Sequence, residues 1–143
     1  MKLSELRPGE YAIVKDLLGK GAIHQRLLSM GILPGTVIRV VRASPFGDPV
    51  EYEIRGFFIS LRKQEASYVE VDKIVPLGMV PSGSVVRIVL IDGGVGFIRN
   101  MGSMGIGVGE TVRVLRGCCP MLVQTSKGKF NIGRGIAYRI FVR

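Results

Sequence analysis

The tetrapeptide Ser-Met-Gly-Ile occurs at residues 29–32 and again at residues 103–106 of this 143-residue chain. The same shift of 74 residues (103 − 29) aligns Gly9 with Gly83 and needs no gap. Glycines that recur at identical spacing indicate that the same backbone turns are needed twice. An internal repeat changes how the whole fold is assigned, so it has to be recognised before any single motif.

The repeat extends over nearly the whole chain. Beyond residue 42 the shift falls from 74 to 71, which corresponds to a loop that is three residues shorter in the second copy. Insertions and deletions of this size are typical of surface loops. We therefore expect two tandem domains, residues 1–74 and 75–143, with a proline- and glycine-containing linker at about residues 73–81.

The residue pattern of each copy predicts a strand, a short helix and then four further strands. Ile23, Leu27 and Met30 share one helical face, and Gly31 stands where a left-handed helix cap belongs. Five short strands and one helix in about 65 residues indicate a mostly β protein made of two SH3-like, partly open small barrels. The strands are expected at residues 11–14, 36–41, 51–54, 57–61 and 68–71, and at residues 85–91, 111–115, 121–125, 129–132 and 139–142.

The net charge of +9 is concentrated in the second copy. Residues 1–72 hold ten Lys or Arg against nine Asp or Glu, a balance of +1, whereas residues 73–143 hold ten against two, a balance of +8. A balance of this kind attracts anions such as an acidic protein face, lipid headgroups or nucleic acid.

Few residues are suited to catalysis or to metal binding. The one histidine, His24, and the adjacent Cys118 and Cys119 do not form the three or four convergent ligands that zinc or iron needs. The cysteines are interpreted as two small packing residues. The glycine-rich stretches at residues 93–96 and 105–109 lack the lysine and the βαβ setting of a phosphate-binding loop. The sequence therefore predicts a protein that is not an enzyme and has no cofactor.

The apolar runs are short and interrupted, far below the roughly 18 residues that a membrane-spanning helix needs. The first eight residues contain charges and a proline where a signal peptide would place its apolar stretch. We therefore expect a cytoplasmic protein.

The first copy resembles the FeoA family of ferrous-iron uptake. The resemblance is carried by RLLSMGILPG at residues 26–35, PFGDP at residues 45–49 and ISLR at residues 59–62. The second copy is a divergent member, since it lacks the Gly-Asp-Pro loop but keeps NIGRGIA at residues 131–137.

The resemblance implies a regulatory module of ferrous iron transport that contacts the cytosolic part of FeoB, the membrane iron transporter, and so lies at the inner face of the cell membrane. It implies no catalytic residue. The copies are expected to divide the contact: specific binding by the first and electrostatic attraction by the second, to which Arg113 and Arg116 contribute. The candidate partner-binding residues are Phe46, Asp48, Arg55, Phe57, Phe58, Lys127, Lys129 and Arg134.

Two alternatives stay open. A basic tandem β-barrel could bind nucleic acid or act in iron-dependent transcription regulation, although it has few aromatic side chains for base stacking and no helix-turn-helix segment. A direct carrier of Fe²⁺ is the weaker alternative because ligands for the metal are lacking.

Overall fold

A computed structural model describes all 143 residues and divides them into two compact units, Met1–Lys73 and Ile74–Arg143. Both units are mostly β and SH3-like, which confirms the predicted fold class. No helix in the structure has the length and apolar character needed to cross a membrane.

The first unit is one antiparallel sheet with two short helices. A 3-10 helix at Leu3–Glu5 precedes the first strand. The strand order is β4-β3-β2-β1-β5, so β4 forms an edge. The elements are β1 (Tyr11–Leu17), α1 (Ala22–Ser29), β2 (Val37–Ala43), β3 (Val50–Ile54), β4 (Phe57–Leu61), α2 (Lys63–Ala66) and β5 (Val69–Pro76).

The second unit repeats this arrangement. Its strand order is β10-β6-β7-β8-β9, and the last two residues of β5 pair with β10. A 3-10 helix at Leu77–Met79 opens the unit. The further elements are β6 (Val85–Ile91), α3 (Val95–Ser103), β7 (Thr111–Arg116), β8 (Met121–Thr125), β9 (Gly128–Ile132), α4 (Arg134–Ala137) and β10 (Ile140–Val142).

The repeated glycine ends the helix in both copies. After α1, the N–H of Ile32 donates to the carbonyl of Leu27 (3.1 Å) and the N–H of Gly31 donates to the carbonyl of Leu28 (3.0 Å). This pair of bonds is the Schellman motif, which needs a residue with positive φ. Gly31 has φ +86°, and Gly105 has φ +80° with the same two bonds after α3. The predicted caps are therefore confirmed.

Each unit has its own apolar core, which the inward side chains of the strands and the inner face of the helix supply. Equivalent positions of the repeat contribute to both cores. The first core includes Leu3, Leu27, Ile38, Tyr52, Leu61 and Val71, and the second includes Leu77, Met101, Val112, Val123, Ile132 and Val142.

The stretch predicted as a linker, residues 73–81, has regular structure. Strand β5 runs on to Pro76, and the 3-10 helix Leu77–Met79 follows at once. Ile74 and Leu77 are fully buried. Pro76 itself pairs with Phe141 of β10, so this stretch is part of the sheet.

Ion pairs stabilise the surface of the first unit. Glu10 pairs with Lys73, and its Oε1 also accepts a hydrogen bond from the N–H of Arg7 at 2.7 Å. The hydrogen bond from Lys73 is the main reason that the pKa of Glu10 is lowered from its ordinary value.

We expect Glu10→Gln to lower the free energy of unfolding at neutral pH by less than about 1 kcal/mol, since surface pairs are screened by water. A carboxylate with a lowered pKa stabilises the fold above its unfolded pKa and loses that contribution as the pH falls through the folded pKa. Urea unfolding at neutral pH and in acid checks this. Wild type and variant should differ at neutral pH and coincide in acid. A difference that persists in acid would contradict the ion-pair explanation.

Candidate partner-binding surfaces

The loop between β2 and β3 exposes the side chain of Phe46 to solvent. The N–H of Ser44 donates to the carbonyl of Pro49 (3.0 Å), and the N–H of Gly47 donates to the carbonyl of Ser44 (2.8 Å). The Oδ1 atom of Asp48 accepts a bond from the N–H of Lys63 (3.0 Å), at the first residue of α2. These bonds fix the loop, and Phe46 at its tip is 98% exposed. Asp48 therefore positions the loop.

A cavity of about 230 Å³ lies beside this loop. The hydroxyl oxygen of Ser44, one of its lining residues, is buried and has no hydrogen-bond partner. The lining residues are Arg42, Ala43, Ser44, Pro45, Pro49, Glu51 and Ser60.

The hairpin between β3 and β4 exposes two more aromatic side chains. Arg55 (φ +51°) and Gly56 (φ +84°) both have the positive φ that a two-residue hairpin turn requires. Phe58 lies on the same face of β4 as Ser60, which lines the cavity. Strand alternation predicts that one phenylalanine of the pair points outward, yet both are exposed, Phe57 by 75% and Phe58 by 59%. Leu61 of this edge strand is fully buried in the core, and Ile59 packs against it.

The candidate cations of the second copy occupy three places. Arg113 and Arg116 of β7 and Lys129 of β9 lie on the exposed face of the sheet. Lys127 lies in the turn between β8 and β9, and Arg134 begins α4, with its guanidinium 5.4 Å from the centre of a tyrosine ring. All five are exposed, and none of them forms an ion pair with an Asp or Glu side chain.

The remaining reactive side chains have structural contacts. The Nδ1 atom of His24 lies 3.0 Å from the carbonyl oxygen of Gly19. Burial, together with the charge of Asp48, raises the pKa of Tyr52 to about 12. No group of three or more His, Cys, Asp or Glu is placed to hold a metal ion.

The two cysteines lie next to each other in the loop between β7 and β8. Cys118 packs against the apolar core of the second unit, as expected for a small packing residue. Both residues are half-buried. Sulfurs on adjacent residues can reach one another without linking any distant strands, so the pair does not staple the fold.

The two copies of the repeat each match the same protein family. The model of the FeoA domain matches residues 1–73 and residues 75–143. The chain belongs to the FeoA family. Both copies are therefore FeoA domains, although the second lacks the loop that carries Phe46 in the first.

Two curated relatives each match about half of this chain. A Porphyromonas gingivalis protein described as an Fe(2+) transport protein A/Fe(2+) transporter FeoB fusion protein is 40% identical over 74 residues, 52% of this chain. That match spans only 9% of the fusion protein's own length. The putative Fe(2+) transport protein A of Methanocaldococcus jannaschii is 35% identical over 68 residues, 47% of this chain and 83% of that protein.

A solved structure resembles the whole chain. The solution structure of iron(II) transport protein A from Clostridium thermocellum is 34% identical with a TM-score of 0.50. The match covers 100% of this chain and 87% of that one. The family is thus linked by its named members to ferrous iron transport.

Proposed function

We propose that this protein is a non-enzymatic accessory module of ferrous iron transport. It binds the cytosolic part of a FeoB-type transporter transiently, at the cytoplasmic face of the membrane, and alters transport without hydrolysing nucleotide. The observation that carries the proposal is the relative in which an FeoA part and a FeoB part form one chain, since fusion keeps two partners together.

The first copy supplies the specific contact. Its exposed aromatic side chains are Phe46 at the loop tip, Phe58 on the face of β4 that carries Ser60, and Phe57 on the opposite face of that strand, and the cavity lies beside the Phe46 loop. Large exposed apolar side chains around a recess are typical of protein interaction sites. Arg55 at the hairpin turn adds a cation beside the phenylalanines. The Asp48 bond to α2 keeps the loop in place before binding, which lowers the entropy cost of association.

The second copy contributes electrostatic attraction. Lys127, Lys129 and Arg134 are exposed cations without carboxylate partners. Surface charges of this kind speed association and are screened beyond roughly 8 Å at physiological salt. Binding to the transporter should therefore weaken as salt increases.

We expect Phe46→Ala to weaken binding to the purified FeoB-type transporter at least tenfold, because truncating a central aromatic contact typically costs about 2 kcal/mol. Fluorescence titration of the labelled protein against the transporter in detergent measures this. Val108→Ala is the matched control, since Val108 is a 68% exposed apolar side chain of the other copy. Equal affinities of wild type, Phe46→Ala and Val108→Ala would contradict the assignment of the surface.

The nucleic-acid alternative predicts a different outcome of the same titration. A protein that ignores the transporter at every salt concentration but binds RNA tightly, with strong salt dependence, would replace the proposed function.

A further inference from the structure

The two copies carry different charges on the same sheet face. In the first copy the outer face of β2 presents Arg39 and Arg42, and each has a glutamate as its neighbour across the strand pair. Arg39 pairs with Glu53 at 2.9 Å, and Arg42 pairs with Glu51 at 3.4 Å. Opposite charges in directly facing positions largely cancel, so this face has little net field.

The second copy keeps the arginines and loses the glutamates. Arg113 and Arg116 stand at the positions of Arg39 and Arg42, at the shift of 74. The residues opposite them are Gln124 and Leu122, at the positions of the two glutamates. The next strand adds Lys129 in place of Phe58. The same scaffold has therefore changed from a neutral face to a cationic one.

The register of the sheet brings these cations together. Arg113 faces Gln124, and Gln124 faces Lys129, so the three side chains form one row across β7, β8 and β9. A bulge between Val114 and Arg116 inserts one extra residue. Two residues three positions apart would point to opposite faces of a regular strand, but the bulge returns Arg116 to the face of Arg113.

We call Arg113, Arg116 and Lys129 together the cationic face. No carboxylate side chain neutralises these three cations. The two acidic residues after position 72, Asp92 and Glu110, lie outside the strands that form it. Arg116 donates hydrogen bonds to Asn131 Oδ1 (2.8 Å) and to the Pro120 carbonyl (3.4 Å), and both acceptors are neutral. Arg87 on β6 extends the same face, and its side chain donates to the Gly109 carbonyl at 3.3 Å.

The composition of the face favours a membrane surface over nucleic acid. No aromatic side chain occupies the face, so bases have nothing to stack on. The cations lie on β6, β7 and β9 and span three strand spacings, roughly 14 Å, which is wide enough to contact several headgroups at once. Val85, opposite Arg113, is 53% exposed and places an apolar side chain among the cations, as in proteins that rest at the headgroup boundary.

We propose that the cationic face of the second copy binds the anionic phospholipid headgroups of a membrane. This deepens the proposed function, because it names anionic lipid as a second target of the cationic second copy, in addition to its attraction to the transporter. The binding itself needs no transporter, so it can be measured separately.

The experiment is cosedimentation of the full chain with vesicles of phosphatidylcholine alone or mixed with phosphatidylglycerol. We expect binding only to the mixed vesicles and weaker binding as salt increases. The triple variant Arg113→Gln/Arg116→Gln/Lys129→Gln should bind about 100-fold more weakly, at about 1 kcal/mol per cation. The control Arg7→Gln/Lys20→Gln/Arg62→Gln removes the same charge from exposed positions of the first copy and should keep most of the binding.

A second variant tests the comparison of the copies directly. Leu122→Glu/Gln124→Glu installs the glutamates of the first copy, which that copy shows to be compatible with the sheet, and should abolish binding to the mixed vesicles. Equal loss in the control and in the cationic-face variant would overturn the inference, as would wild-type protein that binds RNA but no vesicles. Wild-type protein that binds the mixed vesicles but does not bind the transporter would overturn only the proposed function.

Discussion

Replacing Gly78 by serine should lower the free energy of unfolding by about 2 kcal/mol or more. A Cβ atom on Gly78 would lie 2.6 Å from Cδ2 and 3.0 Å from Cζ of the Tyr138 ring. A ring cannot bend away as a flexible side chain can, so the surrounding core must shift, and overpacking of this kind costs about 1–3 kcal/mol. Gly78 itself is buried in the 3-10 helix Leu77–Met79.

The first copy shows how the cost can be removed. Ser4 stands at the position of Gly78, and Ser67 stands at the position of Tyr138, so the first copy has two small side chains where the second has a glycine and a large ring. The double variant Gly78→Ser/Tyr138→Ser should therefore lose less free energy of unfolding than the sum of the two single losses. We expect this coupling energy to be about 0.5–3 kcal/mol.

Urea unfolding of the four proteins in this cycle measures the coupling. Gly117→Ser is the control, because a Cβ atom there meets nothing within 4 Å. If residues 73–81 were a flexible linker, Gly78→Ser would behave like Gly117→Ser. Additive single effects would contradict the ring contact as the cause.

The second large effect is expected at the helix caps. Gly31→Val and Gly105→Val both force a β-branched residue into positive φ, which costs roughly 1–2 kcal/mol. The two sites differ in space, because a Cβ atom on Gly31 meets nothing within 4 Å, whereas one on Gly105 lies 2.7 Å from Oγ1 of Thr125. That hydroxyl donates to the carbonyl of Met104 at 2.6 Å. Gly105→Val should therefore cost about 3 kcal/mol in total.

Denaturation midpoints of the two valine variants and of the two alanine variants test this. The alanine variants isolate the backbone strain at Gly31, and the comparison between the copies isolates the contact with Thr125. Midpoints unchanged from wild type would show that the glycines are not needed as caps. Equal losses at both sites would show that Thr125 moves aside without cost.

The sequence predicts the repeat, the strands and the longer helices because these features depend on spacing. Periodicity cannot detect α2 and α4, which have four residues each and complete only one turn. The linker was predicted from prolines and a glycine, but Pro76 ends β5 and Gly78 lies in a 3-10 helix. Leu77, which aligns with the buried Leu3, was the available signal for a structured segment.

The candidate surfaces were only partly predictable for a similar reason. Charge counting finds the excess of cations in the second copy but not where they lie. Arg113 and Arg116 share a face only because of a bulge, and Lys129 joins them only through the strand register. The exposure of Phe57 depends on its place at the end of an edge strand, which alternation within one strand does not show.

The edge strands β4 and β9 differ in how well they resist aggregation. Lys129 on β9 places a charge beside the open backbone, which discourages another chain from adding to that edge. β4 instead presents Phe57 and Phe58, which favour such addition. At high concentration the protein should therefore aggregate through the β4 edge of the first copy. A bound partner that covers Phe57 and Phe58 would suppress this aggregation.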